Sequence, residues 1–146
     1  MQKATLFFYC LEKKKICGAE LRGTGSIQWR GMAPGSRKHL GCFYVLGESN
    51  KKMIFCESAI DAISCQVLWP EYTAISTSGA NHNPAWLKKF IAHGCKIYCC
   101  FDSDRIGNML ADKMIKLYPS IKRLRPSRHD WNEVLQNHNY PYPPPI

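Results

Sequence analysis

The sequence predicts an α/β fold in which helices flank a mostly parallel sheet, preceded by a small antiparallel β-rich segment. Two observations favour this fold. From Lys51 onwards, short apolar runs alternate with segments of helical periodicity, which implies right-handed strand–helix–strand crossovers. Up to Asn50, the chain instead contains many glycines and short apolar runs separated by turn residues. Residues 1–50 are therefore expected to form short antiparallel strands that pack on the second part of the chain.

The β-rich segment contains three apolar runs that suit strands. They cover residues 4–9, 16–21 and 41–46. The lysines at 13–15, between the first two runs, are expected to form a solvated hairpin turn. The glycine-containing stretches between the second and third runs are expected to be turns.

The second part, residues 51–138, is predicted to be one domain with alternating strands and helices. Strands are expected at 53–56, 73–76, 96–101 and 121–124, and helices at 59–69, 83–94, 106–117 and 130–136. Asn83 and Pro84 have the residue types of an N-cap and a first helical position, and Gly94 is suited to end that helix. Residues 139–146 form a proline-rich tail, which we expect to be extended.

The apolar faces of two helices can be predicted from residue spacing. In the first helix the apolar face is predicted to contain Ala59, Ile60, Ile63 and Val67. In the third helix it is predicted to contain Ile106, Leu110, Met114 and Leu117.

The charge of the chain points to a polyanionic partner. The formal net charge is +9, and the stretches 21–47 and 113–129 contain basic residues but no acidic ones. This distribution favours nucleic acid as the partner, with a merely basic surface as the alternative. The candidate contact residues are Arg30, Arg37, Lys38, Arg105, Arg125 and Arg128.

Other protein classes are disfavoured by composition. No apolar run is long enough to span a bilayer, and the first ten residues do not resemble a secretory signal, so a soluble, cytoplasmic protein is expected. The eight cysteines contain no Cys-x-x-Cys pair and several lie in apolar runs. They are predicted to be reduced core residues rather than zinc ligands or disulfides.

Three carboxylates come after predicted strands of the second part. Glu57 comes directly after the strand at 53–56, and Asp102 and Asp104 come directly after the strand at 96–101. Parallel strands present their carboxyl ends at one edge of a sheet, where ligands bind, so these side chains are expected to meet. Such a cluster of oxygen ligands suits Mg²⁺ or Mn²⁺ and phosphoryl chemistry. The alternative is that each carboxylate caps a helix; the two motifs together favour a site.

These residues resemble the Toprim domain, which is shared by DnaG-type primases, topoisomerases and some nucleases. The first Toprim motif, a glutamate after an apolar strand, is matched by residues 55–62, and the second, Asp-x-Asp after a later strand, by residues 101–107. A glycine-containing turn is matched by Ser78-Gly79-Ala80, and residues 130–133, Asp-Trp-Asn-Glu, are similar to a segment of the primase-like branch. The upstream stretches 20–24 and 34–38 resemble primase-like proteins of mobile elements. The resemblance implies a compact Rossmann-like fold. Ser58 and Arg105 stand where the family more often has a glycine and a small or uncharged residue.

The resemblance also implies roles for individual residues. Glu57 would act as general acid/base or as a metal ligand, and Asp102 and Asp104 would bind Mg²⁺ or Mn²⁺. Asp61 either supports the site or caps its helix. Gly79 allows close backbone approach or simply makes the turn, and Asp130 contributes to a second metal or caps a helix. The five histidines show no metal-ligand spacing and are expected to be surface or hydrogen-bonded residues, and only His129, next to Asp130, draws attention.

The leading hypothesis is a primase-like, Mg²⁺-dependent nucleotidyltransferase in DNA replication or in the mobilisation of plasmids and other mobile elements. Its implied partners are single-stranded DNA or an RNA–DNA hybrid, nucleoside triphosphates, and a helicase or relaxase-type protein. The first alternative is a metal-dependent nuclease that uses the same carboxylates. The second is a non-catalytic module that binds nucleic acid or a partner protein.

Overall fold

The computed structural model describes residues 4–137, and these form two sheets. The first sheet is antiparallel, with strand order β1-β2-β3, and contains β1 (Thr5–Glu12), β2 (Lys15–Gly23) and β3 (Arg30–Met32). Lys13 and Lys14 form the predicted hairpin turn between β1 and β2, and both have positive φ angles. The tail predicted at 139–146 lies outside the described residues, as does His138.

The second sheet has strand order β4-β6-β5-β7-β8. Its strands are β4 (Tyr44–Val45), β5 (Lys52–Cys56), β6 (Thr73–Ser76), β7 (Lys96–Cys99) and β8 (Lys122–Arg123). β4 is antiparallel to β6, and the remaining pairs are parallel. The helices are α1 (Ala59–Leu68), α2 (Leu87–Ala92), α3 (Arg105–Leu117) and α4 (Trp131–Gln136). The prediction of a mostly parallel sheet flanked by helices and preceded by an antiparallel β-rich segment is confirmed.

The assignment of strands to sheets differs from the prediction at two points. The apolar run at 41–46 was expected to belong with the other N-terminal strands, but Tyr44 and Val45 pair with Ile75 and Ala74 of β6 in the second sheet. The third strand of the first sheet is instead β3, in a stretch expected to be a turn. β3 has only three residues and one is glycine, so it lacks an apolar alternation that would reveal a strand.

Each face of the second sheet packs against two helices. Phe55, Ile75 and Ile97 point to the side that contains Leu87 of α2 and Met114 of α3. The alternate residues of the same strands, among them Ile54, Cys56, Ala74 and Tyr98, pack with Cys65 and Leu68 of α1 and with Trp131 and Val134 of α4. Because β5, β6 and β7 are covered on both faces, their sequences are apolar runs without alternation.

The buried faces of α1 and α3 agree with the predicted ones only in part, at Ala59 and at Met114. In α1 the buried residues include Ala59, Ala62, Cys65 and Leu68, whereas Ile63 and Val67 are 37% and 40% exposed. In α3 they are Gly107, Ala111 and Met114, whereas Ile106 and Leu117 are 47% and 51% exposed. Small side chains let both helices approach the sheet closely, and a prediction based on large apolar residues misses such a face.

The start of α2 was also predicted wrongly. The helix begins at Leu87, and its N-cap is Trp86, which makes no side-chain capping hydrogen bond. The Asn83 side chain, predicted to cap the helix, instead accepts a hydrogen bond from the Tyr118 hydroxyl at 2.6 Å. Gly94 does come after the helix end, with φ of +71°, as expected of a terminating glycine.

The cysteine side chains are mostly buried. All eight cysteines are free thiols, and all except Cys95 are buried, in agreement with the predicted core role. Within residues 4–137, no helix has both the length and the apolar character needed to cross a membrane.

Candidate metal and phosphoryl-transfer site

The carboxyl ends of β5 and β7 bring Glu57 and Asp102 together. The two strands are parallel neighbours, and each residue lies in the turn after its strand. Oε1 of Glu57 accepts a hydrogen bond from the backbone N–H of Asp102 at 3.1 Å. The two residues therefore lie at one sheet edge, and the contact between them joins the Glu57 side chain to the Asp102 backbone.

Gly107 makes room for this contact. It lies in the first turn of α3, and a Cβ added there would stand 2.4 Å from the carbonyl oxygen of Asp102 and 2.7 Å from Oε1 of Glu57. Both distances are shorter than real Cβ contacts allow, so a side chain at this position would displace the backbone or Glu57. Gly107 belongs to the Asp-x-Asp motif at 101–107, but its role in making room for Glu57 was not predicted.

Asp104 begins α3 and remains at the site. Its Oδ1 accepts a hydrogen bond from the N–H of Gly107 at 2.6 Å, which makes Asp104 the N-cap of the helix. A carboxylate has further acceptor positions besides this bond. Capping and ligand binding, treated as alternatives in the sequence, are therefore compatible for this side chain.

The side chain of His129 lies next to the two aspartates. A carboxylate oxygen of Asp102, one of Asp104 and a ring nitrogen of His129 all lie within 4.8 Å of one another. Asp102 is 5% exposed, and its Oδ1 is buried without a hydrogen-bond partner among the described residues. Buried oxygens of this kind normally have partners, so the donor set fits a divalent cation. Glu57 lies beside this group and is not a member of it.

The electrostatics of the site oppose ionisation of its carboxylates. Burial raises the pKa of Asp102 to about 8, with further increases from the charges of Asp61, Glu57, Asp130 and Asp104. Burial also raises the pKa of Glu57 above its ordinary value, and the charges of Asp104 and Asp61 add to this, although the bond from the Asp102 N–H opposes it. A cation would relieve the cost of ionising these groups.

Asp61 and Asp130 have structural roles next to the site. Asp61 takes part in the N-terminal cap of α1, where its N–H donates to Oγ of Ser58 at 3.2 Å. Its Oδ1 also accepts from the N–H of Asn132, at 3.2 Å, and so connects α1 to α4. Asp130 is the N-cap of α4 and accepts from the N–H of Glu133 at 2.8 Å. Asp130 therefore caps α4, whereas the N-cap of α1 is Ser58, and Asp61 joins α1 to α4.

Gly79 forms the turn after β6. Its φ is +107°, a value that L side chains rarely adopt, and its N–H donates to the carbonyl oxygen of Glu57 at 2.7 Å. A Cβ at Gly79 would meet nothing within 4 Å, so the backbone conformation and not lack of space requires glycine. The turn thereby fixes the backbone of Glu57.

Arg123 and Glu20 bond to the backbone around the candidate site, and neither was predicted to be part of it. Arg123 of β8 donates to the carbonyl oxygens of Phe101 and Asp102, at 2.7 and 3.1 Å, and to Oδ1 of Asn108 at 3.0 Å. Glu20 of β2 accepts from the N–H of Ala59 at 3.1 Å and from Oγ of Ser78 at 3.2 Å. Neither set of contacts has a signal in local sequence, because each joins segments that are far apart in the chain.

A cleft of about 400 Å³ separates the first sheet from the carboxylate edge. Its basic residues are Arg22 and Arg30, both from the first sheet, and its acidic ones are Glu20, Glu57 and Asp104. The remaining lining residues are Phe8, Leu21, Gly31, Met32, Ser58, Ala59, Ile60, Ser78, Gly79, Ala80 and Ile106. The cleft thus combines cationic side chains with the candidate site.

The six predicted nucleic-acid contacts are all exposed, and one of them lies in the lining of the cleft. Arg30 lines the cleft. Nζ of Lys38 donates to the carbonyl oxygen of Ser78 at 3.2 Å and so reaches the turn beside the cleft. Arg37, Arg105, Arg125 and Arg128 are exposed and are not among the cleft-lining residues.

Comparison with known proteins gives one family and several similar folds. A sequence model of the family described as Toprim-like matches residues 54–135. No curated protein matches the sequence. The primase fragment of the bacteriophage T7 primase-helicase has a similar structure, with a TM-score of 0.67 and 17% identity over 91% of this chain and 58% of the fragment.

Two further structures are similar. In the complex of the T7 lagging-strand DNA polymerase with primase domains of two gp4 subunits, an RNA/DNA hybrid and dTTP, the match has a TM-score of 0.60 and 17% identity over 92% of this chain and 71% of that one. A DNA primase domain from Pseudomonas aeruginosa gives a TM-score of 0.63 and 15% identity over 90% of this chain and 46% of that one. At these identities the similarity establishes the fold.

Proposed function

This chain belongs to the Toprim-like family, and we propose that it catalyses nucleotidyl transfer on nucleic acid, as a primase-like protein that uses Mg²⁺ or Mn²⁺. The observation that carries the proposal is that Glu57 bonds to the Asp102 backbone, that the Asp102 and Asp104 carboxylates lie close together, and that Glu57 and Asp104 line a cleft with Arg22 and Arg30. The similar T7 structures are of primase proteins, and one of them contains an RNA/DNA hybrid and dTTP. Both support the same assignment.

Residues of this chain can account for the parts of the reaction. Asp102 and Asp104 would hold the cation, which when bound supplies charge neutralisation and Lewis acidity at a phosphate oxygen. Glu57, with its raised pKa and its place beside the aspartates, suits the removal of a proton from an attacking hydroxyl. Arg22 and Arg30 would neutralise phosphates in the cleft. Positioning and charge neutralisation are the main needs of phosphoryl transfer.

The proposal extends to partners and setting. The partners would be single-stranded DNA or an RNA–DNA hybrid and nucleoside triphosphates. The T7 fragment is part of a primase-helicase protein, which supports a helicase partner in DNA replication. A relaxase-type partner and a role in mobile-element transfer are proposed from the resemblance of stretches 20–24 and 34–38 alone. Eight free cysteines support a reducing compartment such as the cytoplasm.

Calorimetry with Mg²⁺ and Mn²⁺ tests the site directly. We expect the wild type to bind the cation and Asp102→Asn to lose at least about tenfold in affinity, because the variant removes a ligand charge. Thermal unfolding of both proteins checks that the variant is folded. Retention of metal affinity in a folded Asp102→Asn variant would contradict the ligand assignment.

Product analysis then separates the possible reactions. With single-stranded DNA, metal and nucleoside triphosphates, the proposal expects an extended product that disappears in Glu57→Gln. Cleavage of DNA with metal alone would identify a nuclease. DNA binding that persists in Glu57→Gln, with neither product formed by the wild type, would identify a non-catalytic module.

A further inference from the structure

His129 lies where it could bind the same cation as the two aspartates. One of its ring nitrogens is within 4.8 Å of carboxylate oxygens of both Asp102 and Asp104. The buried Oδ1 of Asp102, which has no partner among the described residues, independently indicates that this group accommodates a ligand. The residue comes from the segment before α4, far in sequence from the Asp-x-Asp turn.

The backbone fixes His129 against that turn. Its carbonyl oxygen accepts a hydrogen bond from the N–H of Ser103 at 2.9 Å. Oγ of Ser103 donates to the carbonyl oxygen of Pro126 at 2.9 Å, so the residue between the two aspartates is bonded twice to the segment at 126–129. The imidazole is exposed, but its backbone is not free to move away from the aspartates.

The element after His129 is also rigidly attached. Asp130 caps α4, and the indole N–H of Trp131 donates to the carbonyl oxygen of Cys100 at 2.9 Å. The Trp131 side chain is fully buried against Trp69, with ring centroids 5.0 Å apart. The backbone on both sides of His129 is therefore held in place, and a metal ligand requires such support.

Imidazole changes which cation such a site prefers. Carboxylates and water suit both Mg²⁺ and Mn²⁺, so these ligands alone do not separate the two cations. Imidazole nitrogen is a ligand of first-row transition metals, to which Mn²⁺ belongs and Mg²⁺ does not. We propose that His129 ligates the cation together with Asp102 and Asp104, and that the site consequently prefers Mn²⁺ to Mg²⁺. The inference rests on the proposed function, since it concerns the same cation, and it adds a ligand and a metal preference.

Pulsed electron paramagnetic resonance of the Mn²⁺-bound protein gives a readout that does not depend on activity. We expect a ¹⁴N coupling to Mn²⁺ in the wild type and its loss in His129→Ala. His39→Ala is the matched control, because His39 is also exposed and lies outside the three-residue group. That variant should keep the coupling.

Calorimetry tests the preference. His129→Ala should weaken Mn²⁺ binding by at least about tenfold and Mg²⁺ binding by a much smaller factor. His129→Gln, which offers an amide oxygen in place of the nitrogen, should shift the Mn²⁺/Mg²⁺ affinity ratio towards Mg²⁺. Equal losses for both metals would contradict a nitrogen ligand, and so would an unchanged ratio in His129→Gln.

The Asp102→Asn variant separates failure of this inference from failure of the proposed function. If Asp102→Asn loses metal while the wild type shows no ¹⁴N coupling, the His129 ligand is wrong and the carboxylate site stands. If folded wild type binds neither metal, both are wrong.

Discussion

The carboxylate of Asp102 is buried, and this burial has an energetic cost. A carboxylate that is 5% exposed, with one oxygen unpartnered among the described residues, is costly unless something compensates its charge. The rise of its pKa to about 8 expresses that cost, because burial and four neighbouring carboxylates all oppose ionisation. Folding alone would favour an apolar residue here. The position therefore makes sense when a cation is part of the site.

Gly107→Ala should destabilise the protein, although alanine favours helices. The helix propensity gain is about 1 kcal/mol, but the added Cβ would collide with the Asp102 carbonyl oxygen at 2.4 Å and with Glu57. Because the first of these is backbone, we expect a net loss of about 1–3 kcal/mol in the free energy of unfolding, measured by urea denaturation. Gly31→Ala is the control, since a Cβ there meets nothing within 4 Å. Equal stability of the two variants would refute the close-approach argument.

At the scale of elements, the residues that follow the strands were easier to predict than the sheet to which each short strand belongs. The order of apolar runs placed Glu57 and the Asp-x-Asp turn at one sheet edge, because parallel strands with helical crossovers leave few alternatives. Membership of short strands such as β3 and β4 depends on which edge accepts their backbone hydrogen bonds. No local sequence pattern specifies which edge a short strand joins. The contacts of Glu20 and Arg123 could not be predicted for the same reason, because they join distant segments.

Helix ends show a related contrast. Asp104 and Asp130 cap α3 and α4, and this could be anticipated because the capping bond is local. Asn83 was predicted to cap α2 by the same rule, but its side chain bonds to Tyr118 of a distant segment. A tertiary contact overrides local preference there. The buried faces of α1 and α3 were predicted only in part, because small residues such as Ala62 and Ala111 pack there without apolar bulk.

Glu20→Ala should loosen the connection between the two sheets. The carboxylate crosses from β2 to the N-terminus of α1 and to Ser78, and its removal leaves the Ala59 N–H without this acceptor. We expect a loss of about 1–3 kcal/mol in the free energy of unfolding and faster hydrogen exchange at the Ala59 amide. Glu48→Ala, at an exposed position, should change stability by less than about 0.5 kcal/mol. Unchanged Ala59 exchange in Glu20→Ala would argue against the connection.

For the whole molecule, the net charge of +9 matters less than where the charges lie. Arg22 and Arg30 face the cleft, whereas Lys13 and Lys14 form the tip of the β1–β2 hairpin. Arg22 and Arg30 lie opposite each other on the neighbouring strands β2 and β3. Arg22 is eight residues from Lys14 at the hairpin tip, which corresponds to roughly 26 Å of extended chain. A polyanion in the cleft would therefore meet one group of cations and not the other.

Arg30→Gln should weaken binding of single-stranded DNA more than Lys14→Gln, although both variants lose one positive charge. If Arg30 neutralises a phosphate in the cleft, its loss should reduce the slope of log affinity against log salt concentration by about 0.7. Lys14→Gln should leave the slope within error of wild type, since its charge lies at the distant hairpin tip. Fluorescence anisotropy of a labelled oligonucleotide at several salt concentrations measures both slopes. Equal reductions of the two slopes would mean that binding depends on net charge alone. That result would contradict a nucleic-acid site in the cleft.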